Sequence, residues 1–295
     1  MSVPEPPVRV EATDARSFAG GPVTLVRAVV EEVTAHDGAA PLDEAALLEL
    51  QHGLGDTAMW TAGSQGFAWR HAGGLEVVVR PAARGQGLGT ALTGVATSAP
   101  GGLTAWSHVD DPAAAALARR FGFQRVRDLW VMRRALSDLP PAPAADPHVT
   151  VRTFQVDRDE DAWVALNAAA FAHHPEQGSL TRADLDERMA QPWFDPAGFF
   201  LVERGGQLVG FHWTKVHDER PPFGEVYVLG VSPTAQGGGL GKLLTRVGLA
   251  HLAGLGLAEV ILYVEADNAP AIAVYSRLGF SHAPADTHVQ YARSH

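Results

Sequence analysis

The chain has 295 residues, of which 46% are hydrophobic and 19% are charged, and its formal net charge is -10. This composition is typical of a globular protein with a sizeable core, either one large domain or two of ordinary size. It disfavours a general nucleic-acid surface, which needs clustered lysine and arginine, and the absence of cysteine excludes disulfides, thiolate nucleophiles and cysteine-ligated zinc.

The N-terminal residues do not have the pattern of a secretory signal. The segment Met1–Pro7 contains neither the basic region nor the apolar region that such a signal needs. No apolar run reaches the roughly 18 residues of a membrane-spanning helix. We therefore expect a cytoplasmic protein with neither a membrane nor a nucleic acid as partner.

The first half of the chain predicts strands and helices around a glycine-rich loop. The β-branched segment Leu75–Val79 predicts a strand, and the loop Arg80–Thr90 follows it directly. Further predicted pieces are a helix over Ala91–Thr97, a strand over Leu103–Trp106, a helix over Pro112–Arg120 and the pair Gly122-Phe123. This order indicates a mixed α/β domain.

A proline-rich stretch, Ser137–His148, separates the two halves. Linkers of this composition are extended and semi-rigid. We therefore predict an N-terminal domain over residues 1–138, a linker over 139–148 and a C-terminal domain over 149–295.

The second half also opens with elements that precede its glycine loop. The predicted elements are a strand over Val149–Phe154, a helix over Asp159–Phe171 and a hairpin of Phe199–Val202 with Leu208–Val216. Thr181 and Asp184 have the spacing of a helix N-terminus close to a capping box. Gly205 and Gly206 predict the hairpin turn.

The order of signals around the first loop then recurs. The second copy consists of a strand over Glu225–Val231, a loop over Ser232–Lys242, a helix through Leu252, a strand over Glu259–Val264, a helix over Ala269–Leu278 and the pair Gly279-Phe280. Arg84 and Gln236 lie 152 residues apart, and the two Gly-Phe pairs lie 157 apart. A repeat of this length indicates duplicated domains rather than a solenoid.

The two loops have a composition that suits a pyrophosphate. Gln236 to Gly241 and Arg84 to Gly89 both follow the spacing Gln/Arg-x-x-Gly-x-Gly. Glycines let the main chain approach a phosphate, and the next helix presents free N–H groups. A dinucleotide-binding fold would need Gly-x-Gly-x-x-Gly and an acidic residue after it, which the chain lacks.

Four histidines raise the question of a metal. They are His173, His174, His212 and His217. The last two differ by an odd number of residues, so a regular strand places them on opposite faces. Without cysteine or a tight His/carboxylate spacing we expect no metal, and we expect His212 to be a pocket-lining or hydrogen-bonded core group.

With Asn268–Phe280 downstream of the second loop, the chain resembles the GNAT superfamily of N-acetyltransferases, and within it the mycothiol synthase family of tandem GNAT enzymes of actinobacteria. The most specific segments are Phe171–Gly178, Trp193–Pro196, Gly210–His217, Gly224–Val231 and Leu262–Asn268. The resemblance implies two tandem GNAT domains, each with a mostly antiparallel sheet splayed at the acetyl-CoA site and flanked by helices. It also implies acetyl transfer from acetyl-CoA to the cysteinyl amine of a glucosamine–inositol pseudodisaccharide, desacetylmycothiol.

The resemblance assigns site residues position by position. Acetyl-CoA contacts in the second domain match Leu229, Gly230, Val231, Gln236, Gly237, Gly238, Gly239, Leu240, Gly241, Lys242, Asn268, Ala269, Pro270, Ala271, Ile272 and Ala273. Those of the first domain match Val77, Val78, Val79, Gly85, Gln86, Gly87, Leu88, Gly89 and Thr90. Acceptor contacts match Glu44, Glu176, Lys215, Glu225 and Tyr263.

The reaction needs residues that move protons. The acceptor α-amine arrives mostly protonated, and an ordinary glutamate takes its proton at a cost of about 5 kcal/mol unless burial raises the carboxyl pKa. Glu225 is the candidate base, directly or through water, and Tyr275 is the candidate acid for the leaving thiolate. A backbone N–H near Leu229–Val231 would hold the oxyanion.

The first half lacks counterparts of these groups. Aligning the Gly-Phe pairs places Ala118 where Tyr275 stands and Asp111 where Asn268 stands, and aligning the loops places Gly73 where Glu225 stands. We therefore predict that the first domain is catalytically inactive, although it keeps a coenzyme loop.

Two other functions fit parts of this pattern. One is a tandem GNAT enzyme that acetylates another amine, such as an aminoglycoside or a peptide N-terminus, since it would share the coenzyme loop. The other is a non-enzymatic acyl-CoA sensor, against which Glu225 and Tyr275 argue. We expect a monomer, because the tandem can replace the dimer common among single GNAT domains.

Overall fold

The computed structural model describes residues 8–10, 21–51, 57–71, 74–139, 148–174 and 177–294. These residues form two compact units. Unit 1 contains the described residues up to Trp130, Glu265–Asp267 and those from Ala283 onward, and unit 2 contains Val131–Val264 and Asn268–His282. The predicted linker falls almost wholly on 140–147, outside the described residues, so the domain boundaries stay a prediction.

The first half of the chain supplies most of unit 1. Its helices are α1 (Pro22–Asp37), α2 (Glu44–Gln51), α3 (Leu88–Ala96) and α4 (Pro112–Arg120). Its strands are β1 (Val8–Val10), β2 (Ala58–Thr61), β3 (Gly66–His71), β4 (Gly74–Val79), β5 (Leu103–Ser107) and β6 (Gln124–Ala135). The predicted strand at β4 and the predicted helices α3 and α4 are confirmed, α4 with its predicted bounds.

The second half supplies most of unit 2. The strands of this second half are β7 (Val149–Thr153), β8 (Phe199–Arg204), β9 (Gln207–His217), β10 (Phe223–Val231), β11 (Glu259–Glu265) and β12 (Ser281–Arg293). From Ala283 onward β12 belongs to unit 1. The helices of the second half are α5 (Glu160–Ala170), α6 (Arg182–Met189), α7 (Leu240–Gly254) and α8 (Ala269–Arg277). The capping box at Thr181 and Asp184 is confirmed, and Gly205 and Gly206 form the predicted hairpin turn with φ of 59° and 77°.

Each unit contains a mostly antiparallel sheet with one parallel pair. In unit 1 the strand order is β1-β2-β3-β4-β5-β12, and in unit 2 it is β11-β10-β9-β8-β7, with β6 beside β11. The parallel pairs are β4 with β5 and β10 with β11. The mixed α/β fold class expected from the sequence is therefore confirmed.

Helices cover both faces of each sheet. In unit 1, Val26, Val29 and Val33 of α1 are buried against Phe67 and Trp69 of β3, because their spacing of three and four residues forms one helical stripe. In unit 2, the corresponding face carries α5, whose Trp163 packs edge-on against the rings of β8 and β9.

The opposite face of the unit 2 sheet carries α7 in close contact. His212 of β9 is fully buried there, and its Nδ1–H donates to the carbonyl oxygen of Leu244 at 2.8 Å. Burial lowers the pKa of His212 to about 4, so the imidazole is neutral. The expectation that His212 is a hydrogen-bonded core group is thus confirmed.

Gly248 of α7 makes room for this imidazole. A methyl carbon on Gly248 would overlap the ring of His212. We therefore expect Gly248→Ala to lower the free energy of unfolding by about 1–3 kcal/mol, as overpacking does. Gly254→Ala on the same helix is the matched control, since no atom lies within 4 Å of its added methyl carbon. Urea unfolding that gave both variants the same stability would contradict this packing.

Buried neutral histidines also make stability depend on pH. An imidazole that titrates near 6.5 when unfolded and near 4 when folded binds its proton only in the unfolded chain between those values, so stability falls as pH decreases through this window. His108 of unit 1 has its pKa lowered to about 4 by burial as well. His212→Asn keeps a donor for Leu244 without titrating, and should flatten the slope by up to about 1.4 kcal/mol per pH unit. Urea unfolding at several pH values measures both slopes, and equal slopes would rule the effect out.

Candidate functional site

The glycine-rich loop of unit 2 connects β10 to α7. Gln236 is extended, with φ -65° and ψ 160°, whereas Gly237 and Gly239 have φ of 82° and 77°. These left-handed values favour glycine. Gly239 is the N-cap of α7 and offers no side chain to the first N–H groups of the helix, so those groups point outward with the positive end of the helix dipole.

The loop of unit 1 has nearly the same backbone. Arg84 has φ -68° and ψ 157°, Gly85 and Gly87 have φ of 74° and 86°, and Gly87 caps α3 without a side chain. The side chains differ, because Arg84 forms an ion pair with Asp37 at 2.6 Å. The hydrogen bonds from Arg84 lower the pKa of Asp37, which keeps an anion beside this loop.

The parallel strands separate beside each loop. The β10–β11 register pairs Gly224 with Val260 and Glu225 with Ile261 and goes no further. In unit 1, the described β4–β5 register pairs only Gly74 with Thr104. The edge of β10 from Val226 to Val231 therefore faces a gap, and it includes the segment predicted to hold the oxyanion.

Glu225 lies where β10 and β11 part. Its carboxylate is 6% exposed, and it lies opposite Lys215 of β9 in the register. Nε2 of His217 is 2.6 Å from Oε2 of Glu225. His212 and His217 lie on opposite faces of β9, as predicted, so only His217 reaches this carboxylate.

Aromatic rings surround Lys215 on the same face. Its Nζ lies 4.4 Å from the ring centroid of Trp193 and 5.3 Å from that of Tyr227. Cation–π contacts of this kind hold an ammonium group in place. The hydroxyl of Tyr227 accepts a hydrogen bond from Nε of Arg188 at 3.1 Å. The wall beside Glu225 is therefore rigid and positively charged.

Tyr275 lies near the end of α8. Burial raises the pKa of Tyr275 to about 12, so its hydroxyl stays protonated at neutral pH, as a proton donor requires. Its ring packs edge-on against Phe280, and no hydroxyl partner occurs among the described residues. The helix begins at Asn268, whose side chain accepts a hydrogen bond from the N–H of Ala271 at 3.2 Å.

The same helix end in unit 1 confirms the alignment of the Gly-Phe pairs. The N–H of Phe280 donates to the carbonyl of Tyr275 at 3.1 Å, and that of Phe123 donates to Ala118 at 2.9 Å. Asp111 caps α4 much as Asn268 caps α8. Ala118 therefore occupies the position of Tyr275, and unit 1 has no hydroxyl there.

Unit 1 does contain a buried carboxylate on the strand before its loop. Glu76 of β4 is 6% exposed, and its Oε1 lies 3.7 Å from Nε2 of His71, whose Nδ1 is 2.7 Å from Glu49. Burial raises the pKa of Glu76. The loop alignment matches Glu76 with Val228, and both lie opposite a tryptophan of the neighbouring strand, so Glu76 is not the counterpart of Glu225. The inactivity of unit 1 stays a prediction.

The other predicted acceptor contacts, Tyr263, Glu44 and Glu176, lie on separate parts of the chain. Tyr263 of β11 is 42% exposed and shares the face of Glu225, since Ile261 pairs with Glu225 and lies two residues earlier. Glu44 begins α2 in unit 1, so its contribution to the acceptor site stays a prediction. Glu176 lies outside the described residues.

Arg204, which the sequence did not single out, lies beside the unit 2 loop. A methyl carbon placed on Gly238 would lie 3.5 Å from its Nη2. Among the described residues its guanidinium has no ion pair or hydrogen bond. Only the hairpin of β8 and β9 brings it to Gly238, and a sequence offers no local signal for that approach.

Two other classes of site, a membrane-spanning helix and a metal centre, find no support among the described residues. None of the helices in this part of the chain is long and apolar enough to cross a membrane. No group of three or more His, Cys, Asp or Glu side chains in the described ranges has an arrangement that could hold a metal.

Comparisons with known proteins agree with this geometry. Residues 161–280 match the model of the acetyltransferase (GNAT) family. A mycothiol acetyltransferase of Nocardioides sp. is 52% identical over 290 residues, which cover 92% of this chain and 97% of that protein. One of Catenulispora acidiphila is 48% identical over 297 residues, covering 91% and 95%. A tandem GNAT protein from the clavulanic acid biosynthesis pathway shares the fold, with a TM-score of 0.70 at 20% identity over 97% of each chain.

Proposed function

Because the chain belongs to the mycothiol acetyltransferase family of GNAT N-acetyltransferases, we propose that it transfers acetyl from acetyl-CoA to the cysteinyl amine of desacetylmycothiol, the last step of mycothiol synthesis. One observation carries the proposal for the site. A buried carboxylate, Glu225, lies where β10 leaves β11, on the strand that leads into the glycine loop. A carboxylate there can take a proton from an amine held against the gap.

The loop of unit 2 fits the phosphates of the donor. Its first helical N–H groups are free, its glycines leave the backbone exposed, and Arg204 adds a cation. Acetyl-CoA would supply the activated thioester when bound. Its proposed contacts are Leu229 to Val231 along the gap, Gln236 to Lys242 at the loop and Asn268 to Ala273 at the start of α8.

The acceptor site lies on the face of Glu225. A cationic amine is attracted by this carboxylate, whereas Lys215 is held back over Trp193 and Tyr227. Glu225 takes the amine proton, backbone N–H groups along the gap stabilise the negative charge that develops on the carbonyl oxygen, and Tyr275 donates to the leaving sulfur. Lys215, Tyr263, Glu44 and Glu176 are the proposed contacts to the acceptor's polar groups.

Unit 1 is proposed to bind acetyl-CoA without catalysing transfer. Its loop copies the backbone of the catalytic loop, and Val77 to Val79 and Gly85 to Thr90 are the proposed contacts. Ala118 in the place of Tyr275 leaves it without the proton donor. We also propose that the protein is a cytoplasmic monomer.

Glu225→Gln and Tyr275→Phe should each lower kcat by about 10²–10⁴-fold, because each removes a proton-transfer group. The assay uses acetyl-CoA with desacetylmycothiol, an aminoglycoside and a peptide, and measures products by mass spectrometry, since the acceptor's own thiol would react with a thiol reagent. Glu76→Gln, a buried glutamate on the corresponding strand of unit 1, should leave kcat unchanged.

Two outcomes would contradict different parts of this proposal. Turnover of another amine but not of desacetylmycothiol would contradict the proposal that desacetylmycothiol is the acceptor. A rise in KM without a fall in kcat would show that Glu225 or Tyr275 only binds.

Arg204→Ala should raise KM for acetyl-CoA by about 10- to 100-fold with little change in kcat, because a charge-assisted hydrogen bond to phosphate contributes about 1.5–3 kcal/mol. Acetyl-pantetheine lacks the nucleotide phosphates, so its KM should not change. Arg158→Ala, an exposed arginine elsewhere in unit 2, is the control. Equal effects on both donors would remove Arg204 from the phosphate site.

A further inference from the structure

Three side chains form a row from the buried carboxylate to the surface of unit 2. Oε2 of Glu225 is 2.6 Å from Nε2 of His217, and Nδ1 of His217 is 3.7 Å from Oε2 of Glu219. The exposed fractions of these side chains are 7%, 18% and 56% in that order. The imidazole therefore connects the proposed catalytic base to an exposed carboxylate.

The imidazole is held in this orientation. Its ring stacks on Phe223, with centroids 4.4 Å apart and planes inclined by 11°. Phe223 and Glu225 share a face of β10, so one strand fixes both the base and the ring that supports its partner. The ring plane thus keeps Nε2 directed at Glu225.

Other charged or titratable side chains also lie on this face of the sheet. Lys215 lies on the same strand with its ammonium over Trp193 and Tyr227, and Arg188 of α6 donates to the Tyr227 hydroxyl. Tyr263 of β11 is exposed. Among the described residues, Glu225 and Glu219 are the charged groups within 4 Å of the ring nitrogens of His217.

Resting on the function proposed above, we propose that His217 relays the proton that Glu225 takes from the acceptor amine. The N–H bond of the ammonium breaks and the proton joins a Glu225 oxygen. Glu225 passes it to Nε2 of His217, in the tautomer whose ring proton is on Nδ1, and the Nδ1 proton then leaves to Glu219 or to water. Atoms and charge balance: the amine has lost one proton, Glu219 or water has gained one, and Glu225 is a carboxylate again. The proton left on Nε2 must exchange back to Nδ1 through solvent before His217 can accept another.

The chemistry of the two groups favours this division. As a class of group, an imidazole free in water has a pKa of about 6.5, which lies nearer to that of a free α-amine than does the roughly 4.3 of a free glutamate carboxyl. With the proton on the imidazole, Glu225 remains an anion paired with a cation 2.6 Å away, so neither buried charge is isolated. His217 is a positioning and relay residue, and Glu225 alone touches the amine.

Unit 1 provides the matched comparison. His71 also lies between a buried glutamate and a more exposed one, but its short contact of 2.7 Å runs from Nδ1 to the outer Glu49, and Nε2 is 3.7 Å from the buried Glu76. The short contact in unit 2 is the one that reaches the inner carboxylate. A relay into the base therefore requires the unit 2 geometry.

The test compares His217→Gln with His71→Gln in the full chain. Glutamine can still form a hydrogen bond with Glu225 but cannot carry the proton onward. We expect His217→Gln to lower kcat about 10- to 100-fold, less than loss of the base itself, to leave both KM values nearly unchanged, and to move the acid limb of the kcat/KM profile to lower pH. His71→Gln should leave the profile unchanged.

A further variant separates relay from orientation. In His217→Gly, added imidazole should restore part of kcat, which a merely structural role would not allow. Unchanged kcat and pH profile in His217→Gln, or no rescue by imidazole in a folded His217→Gly, would overturn the relay. If the wild-type protein does not acetylate desacetylmycothiol, the proposed function fails instead, so the two failures are distinguishable.

Discussion

The separation of two parallel strands is the constraint on which the site depends. Backbone N–H and C=O groups inside a sheet need partners, and β10 pairs with β11 only through Gly224 and Glu225. Beyond that point, a ligand or water must satisfy the β11-facing edge of β10. The carboxylate at the branching point, the open edge and the glycine loop at the strand's end follow one another along nineteen residues, 224–242, and so a single stretch of chain positions the base, the carbonyl and the phosphates.

The duplication shows which part of this arrangement belongs to the backbone. Gly87 and Gly239 adopt the same left-handed conformation before their helices, and Ala118 and Tyr275 accept the same hydrogen bond from a Gly-Phe pair. The fold thus reproduces the loop, the cap and the parted strands in unit 1 without a counterpart of Tyr275. The two units differ instead in side chains that the backbone does not determine, such as the hydroxyl of Tyr275 in unit 2, where unit 1 has Ala118.

The sequence predicted what depends on neighbours along the chain. The strands and helices around both loops, the capping box at Thr181 and the opposite orientation of His212 and His217 are local consequences of spacing, and the structure confirms them. The long strands β6 and β12 were not predicted, because their register depends on partners far away in sequence. Glu76 and Arg204 were not singled out for the same reason: the burial of one and the approach of the other to its loop depend on partners distant in sequence.

An acidic protein can bind a phosphate-rich donor because the two charges are handled in different places. The chain carries a net charge of -10, yet the loop of unit 2 presents backbone N–H groups, the positive end of α7 and Arg204, whose guanidinium has no ion pair among the described residues. The attraction of free N–H groups at a helix N-terminus for an anion is local and does not require a positive net charge on the protein. The proposed acceptor brings its cation to the face of Glu225, a buried carboxylate that lies opposite Lys215. In the proposal, donor and acceptor of opposite charge therefore meet opposite ends of one strand. The glycine loop of unit 2 carries no acidic side chain, whereas in unit 1 Asp37 forms an ion pair with the loop arginine.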